Sequence, residues 1–339
     1  MRFIPPLIIC LVIGIFLWQS FDIQTYQSHH IGYIKQNVST WEQKQTFLEN
    51  VEIIQSPQKE DWLIKYIDGA QKEIKIAIYM FTVPSLREAL LRAKNRGVTV
   101  QVILEKNPYN AVTINRETVQ FFQKNSIDFY ETDNRYFSFM HAKYMIIDTN
   151  WILATANWTR SSFSSNREFF IIGTDSNILK DLENVFQTDF KGGKWISQDN
   201  RIITWPTNAR ERLISFIQSA KKKIDLYMPS LTDDKIILEF QKECSAGKEI
   251  YILLDDSSEN VQKGNTVSKN GCPKIRMMKK PALHGKALII DEKEAFIGSF
   301  NFTKNSLENN REMGIFLNGK TISEIVNIFE QDWQKSVAF

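Results

Sequence analysis

The chain has 339 residues and a formal net charge of +3, with 43% hydrophobic and 24% charged residues. It is too long for a disulfide-stapled miniature, too apolar for a disordered chain, and too evenly charged for composition alone to name a polyanionic partner. Three cysteines and four histidines, with no C-x-x-C, argue against a structural zinc site.

From Phe3 to Trp18 no residue is charged, and Leu7 to Trp18 is a continuous apolar run. Such a run is a membrane anchor or a signal peptide. The following Leu17-Trp18-Gln19-Ser20 offers no small-residue cleavage site, which favours an uncleaved transmembrane anchor over residues 1–20. Arg2 precedes the run and Asp22 follows it, so the positive-inside rule predicts a single-pass membrane protein with an extracytoplasmic body. Residues 21–50 are polar, include His29-His30, and read as a stalk.

Beyond the stalk the sequence repeats itself. LIKYIDGAQKEIKIAIYM, Leu63 to Met80, returns about 150 residues later as LISFIQSAKKKIDLYM, Leu213 to Met228. Each copy leads through a helix-like stretch to a second apolar run, VTVQVIL (Val98 to Leu104) or EIYILLD (Glu249 to Asp255), and each half closes on an amphipathic helix, Ile178 to Phe190 or Ile322 to Trp333. The short apolar runs suit central strands covered by helices. The predicted fold is α/β, with two homologous halves over 51–193 and 194–339, each a mixed sheet flanked by helices. GIFLNGKT, Gly314 to Thr321, has the letters of a P-loop, but Ile315 to Leu317 read as strand and nucleotide binding is not expected.

Two strings carry the chemistry: HAKYMIID with His141, Lys143 and Asp148, and HGKALIID with His284, Lys286 and Asp291. Both fit H-x-K-x-x-x-x-D, and strand periodicity puts His and Lys of each copy on one face, with the aspartate at the strand end. Downstream lie Asn157 and Asn301, then Glu168 and Glu312, spaced 27 residues from His141 and 28 from His284. A carboxylate orients a catalytic imidazole, lysines offset phosphate charge, amides donate hydrogen bonds, and two histidines can flank phosphorus for in-line displacement. This set calls for no metal or cofactor.

The paired motifs on two fused halves resemble the phospholipase D superfamily over about residues 50 to 339. Gly298-Ser299-Phe300-Asn301 matches the family's G-S-x-N, while the first half has Ala154-Thr155-Ala156-Asn157 in that place. The resemblance implies an active site between the halves and a covalent phosphohistidine, with His141 as nucleophile and His284 as acid. Lys143, Lys286, Glu168 and Glu312 would assist them. Asn157, Asn301, Thr155 and Ser299 would bind phosphate, and Asp148 and Asp291 would support the architecture. The expected substrate is a phospholipid. A nuclease of the same chemistry and a catalytically silent binding module are the alternatives, and Lys221 to Lys223 and Lys279-Lys280 suit lipid headgroups or a nucleic-acid backbone. Cys244 and Cys272, outside the anchor, can pair if the body is extracytoplasmic.

Overall fold

The computed structural model describes residues 45–339, apart from 134, 194, 205–207, 258, 259, 261–263, 265, 269 and 270. The expected anchor and most of the expected stalk, with His29-His30, lie outside the described residues. Among those described, no helix is long and apolar enough to cross a membrane. The compact body starts at Phe47, within the segment read as stalk. The Leu48 N–H donates to Phe316 O and Leu48 O accepts from the Asn318 N–H, which makes this segment part of the second half's sheet edge.

In the first half the elements are β1 (Glu52–Ser56), α1 (Asp61–Gly69), β2 (Glu73–Ile78), α2 (Pro84–Asn95), β3 (Thr99–Leu104), α3 (Arg116–Lys124), β4 (Asp128–Glu131), β5 (Tyr144–Ile147), β6 (Asn150–Ala154), α4 (Arg160–Ser164), β7 (Asn166–Gly173) and α5 (Ser176–Phe190). The second half has β8 (Ile202–Thr204), α6 (Ala209–Ser219), β9 (Lys223–Met228), α7 (Asp234–Ser245), β10 (Glu249–Asp255), β11 (Lys274–Met278), β12 (Ala282–Leu283), β13 (Ala287–Ile290), β14 (Glu294–Gly298), α8 (Lys304–Glu308), β15 (Met313–Asn318), α9 (Ile322–Lys335) and β16 (Val337–Ala338). Strand order is β1-β7-β6-β5-β2-β3-β4 in one sheet and β16-β11-β10-β9-β13-β14-β15-β8 in the other. Both are mixed: β2 runs parallel to β3 and antiparallel to β5, and β9 runs parallel to β10 and antiparallel to β13.

Alternation along the strands divides the apolar residues between three layers. Ile74, Ile76, Val100 and Val102 of the first sheet pack with Leu63 and Ile67 of α1 and with Leu86 and Leu90 of α2. Ile224, Leu226, Ile250 and Ile252 do the same with α6 and α7. The remaining strand faces, including Ile146, Leu153, Ile171, Ile289, Ile297 and Ile315, meet α5 and α9 in one central core shared by both halves. Helix starts are fixed locally: the Asp175 carboxylate accepts from the Asn177 and Ile178 N–H groups at α5, and Asp233 accepts from Ile236 N–H at α7. Gly314, a P-loop letter in the sequence, lies in β15, where an added Cβ would stand 2.2 Å from the Phe296 ring. Packing, not phosphate, requires that glycine. Cys244 and Cys272 form a disulfide with Cα atoms 6.0 Å apart, joining the end of α7 to the segment before β11.

Asp148 and Asp291 follow β5 and β13 with φ of 53° and 50°, a left-handed conformation that aspartate tolerates. Asp148 accepts from the N–H groups of Gln71, Lys72 and Glu73 at 2.8, 2.8 and 3.0 Å. Asp291 accepts from those of Lys221, Lys222 and Lys223 at 2.7, 2.7 and 3.0 Å. Each motif aspartate thus ties its strand to the start of the neighbouring one, β2 or β9. The backbone N–H groups hold both carboxyls below the ordinary value of 3.8 despite partial burial. A depressed folded-state pKa means that this stabilisation is present above the unfolded value and is lost as pH falls through the folded one. Asp291→Asn keeps the left-handed tolerance but turns one acceptor oxygen into a donor facing an N–H. Urea unfolding should show a loss of about 1–2 kcal/mol at pH 7, with the gap to the parent closing below about pH 4. Equal stability at pH 7 would remove the tie.

Candidate active site

The two halves join through a pseudo-symmetric set of contacts around the H-x-K segments. In one, β12 pairs with β7, and the Gly285 N–H donates to Arg167 O at 2.6 Å. In the other, the His141 N–H donates to Arg311 O and the Arg311 N–H to Phe139 O, both at 2.8 Å. The arginine side chains cross the same seam. Arg311 donates to Asp189 at the end of α5 at 2.7 and 2.8 Å, and Arg167 donates to Asp332 near the end of α9 at 2.7 and 2.9 Å. The Arg311–Asp189 pair is almost wholly buried, so removing one partner would strand the other charge.

The carboxylates are exchanged across this seam. His141 Nδ1 lies 2.9 Å from both oxygens of Glu312, and His284 Nδ1 lies 2.7 Å from Glu168 Oε1. A carboxylate at this distance favours the proton on Nδ1 and leaves Nε2 with its lone pair, although Lys286 Nζ also stands 3.4 Å from His284 Nδ1. The nearly equal spacings within each half do not reveal this crossing. The structure also corrects the expected role of Thr155 and Ser299. Both are fully buried behind the glutamates: Thr155 Oγ1 donates to Glu168 at 2.7 Å and Ser299 Oγ to Glu312 at 2.5 Å. Their hydroxyl protons are committed to carboxylates and cannot serve phosphate. Each hydroxyl oxygen also accepts a strand N–H, from Phe169 or Met313 at 2.9 Å.

Lys143 and Lys286 precede β5 and β13, so the strands expected to carry His and Lys begin just after them. Each ammonium group donates to the carbonyl oxygen of its own motif histidine. Among the described residues no carboxylate lies within ion-pair distance of either lysine. Burial pushes Lys143 down to about 7 and Lys286 to about 8; the glutamates oppose this, and the Lys286 charge further lowers Lys143. Burial likewise lowers His141 to about 4 and lowers His284, against the pull of their glutamates. Both glutamates stay below the ordinary range because histidine and lysine charges and hydroxyl donors outweigh their burial. The site thus disfavours charge on its imidazoles, keeps its carboxylates ionised, and holds two lysines whose charged form calls for an anion. Asn157 is nearly buried, and its Oδ1 has no partner among the described residues.

Several site residues escaped the sequence reading. Tyr79 packs its ring edge-on to His141, with centroids 4.8 Å apart. Glu105, fully buried, accepts from the Met140 N–H at 2.7 Å, immediately before His141. Asp255, at the same place in the repeat, faces the Leu283 amide immediately before His284. Ser306 and Asn310 donate to Glu312 at 2.5 and 3.2 Å. The one sequence signal was the acid ending the strands VILE and LLD at matching positions of the repeat.

Two fused α/β halves, each giving a histidine and a lysine to a shared seam, are the arrangement of the phospholipase D superfamily. The family model described as "Cardiolipin synthase, PLD-like domain" matches residues 63–190 and 213–333, and the chain belongs to that family. It is 30% identical over 126 residues to a mitochondrial cardiolipin hydrolase of Xenopus laevis, covering 37% of this chain and 58% of that protein. It is 32% identical over 140 residues to the probable cardiolipin synthase YwiE of Bacillus subtilis, covering 40% of this chain and 28% of that one. The chain thus spans little more than half of the first relative and under a third of the second. A phosphatidylserine synthase from Haemophilus influenzae shares the fold, with TM-score 0.67 and 11% identity over 85% of this chain and 87% of its own.

Lysines lowered by burial must regain protons when an anion enters. Calorimetry of inorganic phosphate binding at pH 7.5, in buffers of different ionisation enthalpy, should show net proton uptake by the protein, and Lys143→Met should reduce it. Binding without proton uptake would contradict the lowered lysines.

Proposed function

We propose that the protein is a phospholipid phosphodiesterase that works through a covalent phosphohistidine. The observation that carries this reading is the crossed His–Glu pairing beside two buried ammonium groups. In the proposed cycle, Lys143 and Lys286 balance the charge of the phosphate oxygens, and the side-chain amides of Asn157 and Asn301 donate to them. The Nε2 atom of one histidine attacks phosphorus. The bond to the leaving alcohol breaks as the other histidine, protonated on Nε2 once the anion is bound, gives that oxygen its proton. The second histidine then takes a proton from water, whose oxygen displaces the phosphohistidine nitrogen. An alcohol in place of water would give transfer.

Asymmetry in the seam supports His141 as nucleophile. Its side chain is 12% exposed against 30% for His284. Among the described residues, Glu312 accepts from three side chains besides the imidazole, Ser299, Ser306 and Asn310, whereas Glu168 accepts from Thr155 alone. A fixed, neutral imidazole suits attack on phosphorus. One more open to water suits proton exchange with leaving group and water. The family description and the names of the cardiolipin hydrolase and synthase relatives favour phospholipid as substrate. The uncharged run from Phe3 to Trp18 and the Cys244–Cys272 disulfide support membrane anchoring with an extracytoplasmic body.

The test compares the full chain on cardiolipin, phosphatidylcholine, single-stranded and duplex DNA, and RNA, with and without EDTA. Turnover of phospholipid, unaffected by the chelator, is expected. Turnover of nucleic acid alone would replace the lipid reading with a nuclease, and loss in EDTA restored by a metal ion would overturn the side-chain mechanism.

His141→Asn and His284→Asn should each cost at least ~10³ in turnover. Removing the nucleophile should abolish the acid-labile phosphoprotein. Removing the acid should spare attack on a substrate with a p-nitrophenolate leaving group, which departs without a proton. Trapped phosphate on residue 284 would reverse the two roles.

A further inference from the structure

We propose that Tyr109, Val112 and Ile114 form an apolar lip that docks the catalytic cleft onto an anionic phospholipid bilayer; the proposal rests on the phospholipid reading above. The three lie in the loop between β3 and α3, with Tyr109 70%, Val112 63% and Ile114 39% exposed. Single exposed apolar residues are ordinary, but three within six positions beside a site point to a partner. The loop is held firmly at its base. Buried Asn115 accepts from the Phe81 N–H and donates to Tyr79 O and Glu105 O, each at 2.9 Å.

The lip is continuous with the site. The Tyr109 N–H donates to Tyr79 Oη at 2.6 Å. Ring centroids run from Tyr109 to Phe139 at 6.3 Å, from Phe139 to Tyr79 at 6.1 Å, and from Tyr79 to His141 at 4.8 Å. An apolar body resting on the lip would thus reach the cleft along an aromatic wall.

Cations stand at the ends of this loop and in the segment before His284. Lys106 and Arg116 are exposed at the two ends of the loop, and Lys279, paired with Asp256 at 3.2 Å, and Lys280 are exposed in the segment leading to β12 and His284. An aliphatic and tyrosine lip beside lysines matches a bilayer that takes apolar side chains at its acyl boundary and presents phosphates above it. Nucleic acid fits less well, because Val112 and Ile114 have no ring face on which a base could stack. The lip is one-sided. The matching segment after β10, Asp256 to Ser268, has no aromatic residue in its sequence.

The experiment uses the full chain with Val112→Glu, Ile114→Ser and Val112→Trp. Each protein is assayed on cardiolipin in phosphatidylcholine vesicles and on soluble bis(p-nitrophenyl) phosphate. All variants keep the N-terminal apolar run, so its contribution cancels in the ratio of vesicular to soluble activity. That ratio should fall at least ~10-fold for Val112→Glu, fall for Ile114→Ser, and rise for Val112→Trp. An unchanged ratio in all three, with the parent active on vesicles, overturns the lip and leaves the phospholipid reading standing. A parent that cleaves single-stranded DNA but no vesicular lipid overturns both.

Discussion

Neither half of this protein owns a complete histidine–glutamate pair. Each imidazole takes its orienting carboxylate from the opposite half, and each arginine beside that carboxylate takes its aspartate from the opposite half as well. In consecutive Arg-Glu positions, 167-168 and 311-312, one side chain builds the seam and the next builds the site. Their backbones also take part, since Arg167 O and Arg311 O accept the N–H groups of Gly285 and His141. Docking the halves and assembling the chemistry are therefore one event. The shared core between α5 and α9 supplies the apolar burial that makes that event favourable.

The same seam explains why the site is charged for an anion. Two lysine amines are buried with backbone carbonyls as partners; burial favours loss of a proton from both, and the Lys286 charge adds to this at Lys143. The two glutamates oppose this, yet each is also bound by an imidazole and a hydroxyl and is not free to neutralise a lysine by direct pairing. An anion between the lysines would supply the missing counter-charge and relieve the cost of their burial.

Much of this was legible in the sequence because the repeat marks its own halves: two H-x-K-x-x-x-x-D strings, two Asn-Arg-Glu strings and two closing helices at matching offsets. Spacing along a chain reports what belongs to one half, and it is silent on exchange between halves. The crossing of Glu168 and Glu312 was therefore out of reach. Thr155 and Ser299 were misread for a related reason. A hydroxyl near a phosphate motif suggests a ligand, but burial decides whether it faces substrate or the carboxylate behind it. Tyr79, Glu105 and Asp255 act through strand ends that meet only in the folded sheet, and the repeat replaces Tyr79 with Pro229, so no recurrence marks it. The aspartates of the motifs were easier, since a strand-end carboxylate in a left-handed turn has backbone N–H groups as its natural partners.

Pseudo-symmetry gives the two histidines nearly the same frame, whereas the proposed in-line displacement needs them in different roles. The backbone scaffold is close to equivalent on both sides: an acid at the end of β3 or β10 faces the amide before each histidine, and an aspartate ties each motif strand to its neighbour. Difference enters through what surrounds each imidazole. On one side Tyr79 closes over His141 and Glu312 is held by Ser299, Ser306 and Asn310; on the other, His284 is more open and Glu168 is held by Thr155. A more heavily bonded carboxylate is less able to draw a proton from its imidazole, and a more enclosed imidazole is harder to protonate from solvent. Both differences act in the same sense on the same side, so a nearly symmetric frame carries two histidines with unlike tendencies to hold a proton.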